Sequence, residues 1–169
     1  MTRDEQTGPL SRSFSVERLP QGSGVVTVEA SQAECDALAK DFRIPAIRDL
    51  VGRFDLSGSL NRLLVTGTVE AVVTQVCTVT LDPFETKVSE SVEVAFTDTD
   101  QLAGTDAEDA DVPDPIVGGR IDFGILTAEF LALGLDPYPR KPGAAFEETR
   151  IGEDVKPFDA LRRLRPDGT

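Results

Sequence analysis

The chain has 169 residues, which is enough for one domain with a single core, and its hydrophobic content of 40% is slightly low for a compact domain and indicates that part of the chain is solvated tail or loop. Its formal net charge of −13 opposes binding to phosphate backbones unless basic residues cluster locally. It contains no histidine, which removes the usual catalytic triads and imidazole metal ligands, and its two cysteines are too few for a disulfide framework.

The first thirty residues predict a polar lead-in followed by two short strands. Residues 1–12 have no apolar stretch that would form a secretory signal, and we expect them to be flexible. Phe14 begins the first strand, residues 20–24 form a turn-rich break, and residues 25–30 form the second strand. No stretch of the chain approaches the roughly 20 apolar residues of a membrane span. We therefore expect a cytoplasmic protein with no membrane partner.

The next segment predicts a helix with a capping box at its start. Ser31 and Glu34 have the spacing that lets each side chain bond to the other residue's backbone amide. Ile44 precedes Pro45, and a residue before proline avoids the helical region, so the helix ends there. Its apolar positions have helical spacing and are Cys35, Leu38, Ala39 and Phe42.

From Ala46 the pattern changes to period two, which predicts long antiparallel strands with one wet face. The central strand is expected to bend near Gly67, and Asp82-Pro83 turns the chain into the next strand. The inward positions of the central strand and turn are Leu63, Val65, Val69, Ala71, Val73, Cys77, Val79 and Leu81. Those of the following strand are Phe84, Thr86, Val88, Val92, Val94 and Phe96.

A run of carboxylates follows these strands. Seven acidic residues and no basic ones occupy positions 98–114, and we expect an acidic loop over residues 98–117. The spacing does not follow an EF-hand, because the central glycine and the terminal glutamate of that motif are missing. A solvated linker is therefore the favoured interpretation.

A second helix and a polar tail complete the chain. Asp122 is a suitable N-cap, and Pro137 and Pro139 stop the helix. Its apolar residues surround much of the cylinder, which predicts burial: Ile125, Leu126, Phe130, Leu131, Leu133 and Leu135. Residues 141–169 form a polar tail with a short amphipathic helix around Phe158, Leu161 and Leu164. The predicted fold is one α+β domain at residues 13–140. It is an antiparallel β-meander that either curls in a barrel-like way around the buried C-terminal helix or packs against it. A second, N-terminal helix lies beside it.

Several short motifs occur in a fixed order along the chain. They are Gln75-Val-Cys77, Leu81-Asp-Pro-Phe84, the acidic loop, Ile121-Asp-Phe-Gly with the run from Glu129 to Leu133, Pro137-Tyr-Pro-Arg140, and a closing segment at residues 156–164. In order and spacing, over about residues 12–165, the chain resembles the YceD family of large ribosomal RNA subunit accumulation proteins. The closing segment is similar to that of alphaproteobacterial members.

The resemblance implies a non-catalytic ribosome-biogenesis factor without a cofactor or small-molecule substrate. Many relatives have a Cys-x-x-Cys pair, but here Thr80 stands at the second position, so a thiolate metal site is not carried over. The residues that match the family's motifs are the candidates for partner binding: Gln75, Cys77, Phe84, Asp122, Glu129, Pro137, Tyr138, Pro139 and Arg140.

Three functions remain open at the level of sequence. The first is a factor that binds large-subunit ribosomal RNA or a precursor particle. It would need to concentrate its basic residues, which are Arg43, Arg48, Arg53, Arg62, Arg140, Lys141, Arg162, Arg163 and Arg165. The second is an acidic adaptor that binds a basic partner such as a ribosomal protein. The third is a hydrolase with paired carboxylates, which would need a deep pocket lined by residues such as Glu70, Glu93 and Glu129.

Overall fold

The structure, a computed structural model, describes residues 8–18, 22–59, 61–98 and 113–145. In chain order its elements are β1 (Ser13–Ser15), β2 (Gly22–Glu29), α1 (Gln32–Phe42), β3 (Ala46–Ser59), β4 (Arg62–Val76), β5 (Pro83–Asp98), β6 (Asp114–Ile116), β7 (Arg120–Asp122) and α2 (Phe123–Gly134). A single 3₁₀ turn at Val16–Arg18 follows β1. The predicted α+β class is confirmed.

The main sheet has five strands in the order β2-β3-β4-β5-β6. Its first four strands pair antiparallel, and β6 pairs parallel to the end of β5. A separate antiparallel pair joins β1 to β7. Within the described ranges the five-stranded sheet is open, so its strands pack against the helices and do not close around one of them. The sequence pattern did not indicate β6 and β7, because strands of three residues carry almost no periodicity.

The alternation in β4 and β5 places one face of each strand in the core. Val65, Val69 and Val73 of β4 are fully buried, and Val88 and Val92 of β5 are less than 10% exposed. Gly67 lies opposite Phe54 in the register. A methyl group on Gly67 would collide with the carbonyl oxygen of Arg53, so only glycine allows this close approach of the two strands.

A bulge in β3 keeps its apolar residues on one face. The register with β4 shifts between Arg48 and Val51, and Asp49 has a φ of 54°. Ile47 and Leu50 are both buried although they are an odd number of residues apart, because the extra residue reverses the alternation. Phe54 then continues the buried face as the period-two pattern predicts.

Both helices lie on the buried face of the sheet. The predicted capping box of α1 is present, with Ser31 as N-cap and Glu34 bonded back to it. Helix α1 contacts β3, and α2 contacts β5 and β4. Only one side of α2 is buried, since Leu133 is 74% exposed and Ile125 lies at the edge of the core. The sequence pattern had predicted burial around most of the helix.

The folded part of the chain begins before β1. Leu10 is 1% exposed and belongs to the core, and Arg12 forms an ion pair with Glu34 at 2.7 Å. Residues 8–12 therefore pack against the domain and are not part of a flexible lead-in. The rest of the lead-in predicted for residues 1–12, residues 1–7, lies outside the described ranges. Most of the predicted acidic loop and the predicted amphipathic helix of the tail also lie outside the described residues. Neither α1 nor α2 is long and apolar enough to cross a membrane.

Candidate functional site

The strand β4 ends in a tight turn, residues 77–82, that folds around the Cys77 sulfur. The Cys77 amide donates to the Asp82 carbonyl at 2.8 Å, and the Leu81 amide donates to the Cys77 carbonyl at 2.9 Å. Leu81 has a φ of 61°, which is rare for a residue with a branched side chain, and it is 75% exposed. The sequence pattern had placed Val79 and Leu81 on the inward face of the strand. That prediction was wrong for Leu81, because the strand stops at Val76.

The segment that leaves α2, residues 136–141, is fastened to this turn. The Gln75 side-chain amide donates to the Asp136 carbonyl at 3.0 Å. The backbone amide and the hydroxyl of Thr78 both donate to the Pro139 carbonyl, at 2.8 and 3.2 Å. We call residues 75–82 and 136–141 together the clamp. It joins two parts of the chain that are 61 residues apart in sequence.

The Cys77 sulfur is the second point of attachment in the clamp. It accepts from the Lys141 amide at 3.3 Å and from the Thr80 amide at 3.5 Å, and the side chain is fully buried. The hydrogen bond from the Thr80 side chain, together with those from the Lys141 and Thr80 backbone amides, lowers the Cys77 pKa to about 6, against the opposing effect of desolvation. The sulfur therefore acts as an acceptor that holds the exit segment in place.

Three of the exposed side chains of the clamp are suited to contact a partner, namely Leu81, Tyr138 and Arg140. Tyr138 is 74% exposed, and its amide donates to Asp136 Oδ1 at 2.8 Å, which fixes the local turn. Arg140 is exposed beyond it, and Leu81 is exposed on the opposing turn. Because their backbones are fastened to each other, these side chains are held on a stiff support. Preorganisation of this kind lowers the entropic cost of binding.

The structure brings most of the predicted candidates together. Gln75 and Cys77 lie in one half of the clamp, the stretch from Pro137 to Arg140 lies in the other, and Phe84 pairs with Gln75 across β4 and β5. Gln75 is 4% exposed, and it occupies an inward, odd-numbered position of β4. That position was the signal for its burial. Sequence reasoning did not identify Thr78, and it named Lys141 only as a basic side chain and not for its backbone contact with Cys77; the partners of both residues are distant in the chain.

Asp122 lies at the opposite end of α2, about 20 Å from the clamp for a helix of this length. It accepts from the amides of Gly124 and Ile125, at 2.9 and 3.0 Å, as the predicted N-cap. It also accepts from the Arg12 amide at 2.8 Å and from the Ser11 hydroxyl. Burial raises the pKa of Asp122, but these hydrogen bonds outweigh it and lower the pKa overall. Asp122 therefore fastens the N-terminal segment to α2.

Glu129, the remaining candidate, does not join the other carboxylates proposed for hydrolysis. It is exposed on α2, which covers the buried face of the sheet, whereas Glu70 and Glu93 are exposed on the solvent face. Glu70 also forms an ion pair with Arg53 at 3.1 Å. The described residues contain no group of three or more carboxylates and thiols arranged to hold a metal ion.

Several basic side chains on the domain are occupied by carboxylates. Arg48 donates to both carboxylate oxygens of Glu85, each at 3.1 Å, and to Asp49 at 2.6 Å. Lys141 lies 3.8 Å from Asp82. Together with the Arg53–Glu70 pair, these contacts neutralise three of the basic residues that were candidates for phosphate binding.

A family model described as "Large ribosomal RNA subunit accumulation protein YceD" matches residues 65–165. The matched region begins in β4 and includes both halves of the clamp. No match was found among curated proteins or among solved structures.

Proposed function

The chain belongs to the YceD family. We propose that it is a cytoplasmic, non-catalytic factor that supports accumulation of large-subunit ribosomal RNA by binding a basic protein of the precursor particle. The family description gives the link to large-subunit RNA. The choice of a protein as the direct partner rests on the charge of the chain.

The distribution of charge is the observation that favours a protein partner. RNA affinity comes largely from phosphates neutralised by basic side chains. The chain carries a net charge of −13, and Arg48, Arg53 and Lys141 already face carboxylates. Using them on phosphates would require breaking those pairs. A basic protein surface, in contrast, is attracted by the excess of carboxylates without any rearrangement.

The clamp supplies the composition expected of a protein-binding surface. Tyrosine and arginine are enriched among the residues that dominate binding energy at interfaces. Tyr138 and Arg140 are both exposed, two residues apart on the fastened exit segment, and Leu81 adds an exposed apolar side chain. We expect Tyr138 to be the central contact, because it combines a large exposed ring with a braced backbone.

Direct RNA binding is a second candidate, and the same two side chains favour it. An exposed tyrosine can stack on an unpaired base, and an arginine beside it can contact a phosphate. In the described structure Arg140 forms no ion pair, unlike Arg48 and Arg53. This reading requires one or two phosphate contacts only, so it predicts weak and local RNA recognition.

A binding experiment on the full chain distinguishes the two candidates. Affinities are measured for purified basic large-subunit ribosomal proteins and for ribosomal RNA fragments across a salt series. We expect one of the proteins to bind, and Tyr138→Ala to weaken that binding about tenfold or more, the effect of losing a dominant interface residue. Val25→Ala is the control, because Val25 is 69% exposed on the distant strand β2.

Tight RNA binding would contradict the protein-partner proposal. If RNA binds with a steep salt dependence, and both Tyr138→Ala and Arg140→Ala weaken it, RNA is the direct partner. If neither protein nor RNA binds at low salt, both candidates fail.

A further inference from the structure

An apolar groove lies between the two helices, on the side of the domain away from the solvent face of the sheet. Its walls come from α1, α2 and the N-terminal segment. Its volume is about 210 Å³, below the roughly 300 Å³ at which pockets for drug-sized ligands begin. The lining residues are Gly8, Pro9, Leu10, Leu38, Asp41, Phe42, Ile125, Ala128, Glu129 and Ala132.

The groove has an apolar floor and an acidic rim. Phe42 and Ile125 are partly exposed within it, although both are large apolar side chains next to the core. Among the described residues that line it, the charged ones are Asp41 on α1 and Glu129 on α2. A fitting occupant therefore needs apolar side chains on one face and basic side chains on its flanks.

Residues 156–165 of the same chain have this composition. Phe158, Leu161 and Leu164 recur at intervals of three residues, which is compatible with one face of a helix. The segment contains four basic residues and one acidic residue, in a chain that is otherwise strongly acidic. We propose that residues 156–165 dock in the groove between α1 and α2, with their apolar side chains on its floor and their arginines near Asp41 and Glu129.

The chain is long enough for this contact. The described part ends at Ala145, and the twelve residues between it and Phe158 can span up to about 40 Å when extended. The diameter of a domain of this size is about 30 Å. A tether of this length gives an effective concentration of roughly 1 mM, so even a weak intrinsic affinity would fill the groove for much of the time.

The size of the groove agrees with such an occupant. A cavity of about 150 Å³ accommodates a benzene molecule, so a groove of 210 Å³ has room for the ring of Phe158 with part of a leucine. This contact within one chain goes beyond the proposed function, because it does not depend on the identity of any partner.

Hydrogen–deuterium exchange on the full-length chain tests the proposal. We compare the wild type with Leu161→Asp, which puts a charge on the apolar row, and with Val155→Asp, which makes the same change outside it. We expect Leu161→Asp to lose protection in residues 38–42 and 125–132 of the groove, and Val155→Asp to lose none. Equal exchange in all three proteins would overturn the proposal and leave the groove to a separate chain.

Variants on the groove side provide an independent reading. Ala132→Lys puts a long basic side chain at an exposed groove position, where it repels the arginines of residues 156–165, and we expect it to remove protection from that segment. Leu133→Lys is the matched control, because Leu133 is adjacent but outside the groove lining. Protection of the segment that increases with protein concentration would also contradict the proposal, because it would identify a second copy as the occupant.

Discussion

Replacing Gln75 with alanine tests whether the clamp is fastened as the structure shows. Gln75 is 4% exposed, and its side-chain amide donates to the Asp136 carbonyl at 3.0 Å. The lost hydrogen bond costs about 1 kcal/mol. The lost burial of one methylene group costs about 0.8 kcal/mol. We therefore expect the free energy of unfolding to fall by about 2 kcal/mol in Gln75→Ala.

The assay combines urea unfolding with hydrogen exchange at single amides. In Gln75→Ala the Thr78 and Lys141 amides, which donate across the clamp, should exchange faster even where the global stability is matched by adjusting urea. Gln32→Ala is the control, because Gln32 is exposed on α1 and bonds to Asp36 at 2.8 Å. We expect its effect to stay within 0.5 kcal/mol, as for most surface substitutions. A loss below 0.5 kcal/mol in Gln75→Ala, with unchanged exchange, would show that Gln75 does not fasten the clamp.

Three further predictions concern acid stability, the buried thiol and strand packing. The hydrogen bond from Arg12 holds the pKa of Glu34 at about 2, so this pair stabilises the fold above about pH 4.5, and the stabilisation is lost as the pH falls towards 2. Glu34→Gln should therefore lower the free energy of unfolding by about 1 kcal/mol at pH 7 and reduce its decrease between pH 4.5 and pH 2 in pH-dependent unfolding. The Cys77 pKa is lowered from 9.0 to about 6, so the free energy of unfolding of the wild type relative to Cys77→Ala should increase from pH 6 to pH 9. A difference in free energy that stays constant over this range would show that the hydrogen bonds of the clamp do not stabilise the thiolate. Gly67→Ala should lower the free energy of unfolding by about 3 kcal/mol, because the added methyl group clashes with the neighbouring strand. Gly8 has open space around it, so Gly8→Ala should change the free energy of unfolding by no more than about 0.5 kcal/mol, and equal effects of the two variants in thermal unfolding would contradict the close approach of β3 and β4.

Local sequence signals predicted the elements whose causes are themselves local. Ser31 and Glu34 form the expected capping box, and Asp122 caps α2 as its position indicated. The alternation of valines in β4 predicted its buried face correctly, because a one-residue slip would have exposed every one of them. These patterns depend on neighbours within a few residues, so they can be read without the fold.

Contacts between distant parts of the chain could not be predicted in this way. The Lys141 amide reaches the Cys77 sulfur across 64 residues, and no periodicity relates the two positions. The burial of Leu10 depends on the two helices that enclose it, and the bulge at Asp49 is visible only from the register of β3 with β4. The family motifs indicated that both halves of the clamp were important. They did not indicate that the halves touch.

Photo-crosslinking in cells from position 138, with RNA and protein adducts read together by mass spectrometry, tests directly whether the clamp binds a basic protein. A photoreactive amino acid replaces Tyr138, and the same replacement of the exposed Val25 is the control. We expect adducts with basic proteins of the large ribosomal subunit from position 138 and none of these from position 25. Adducts with ribosomal RNA alone, or the same protein adducts from both positions, would contradict it.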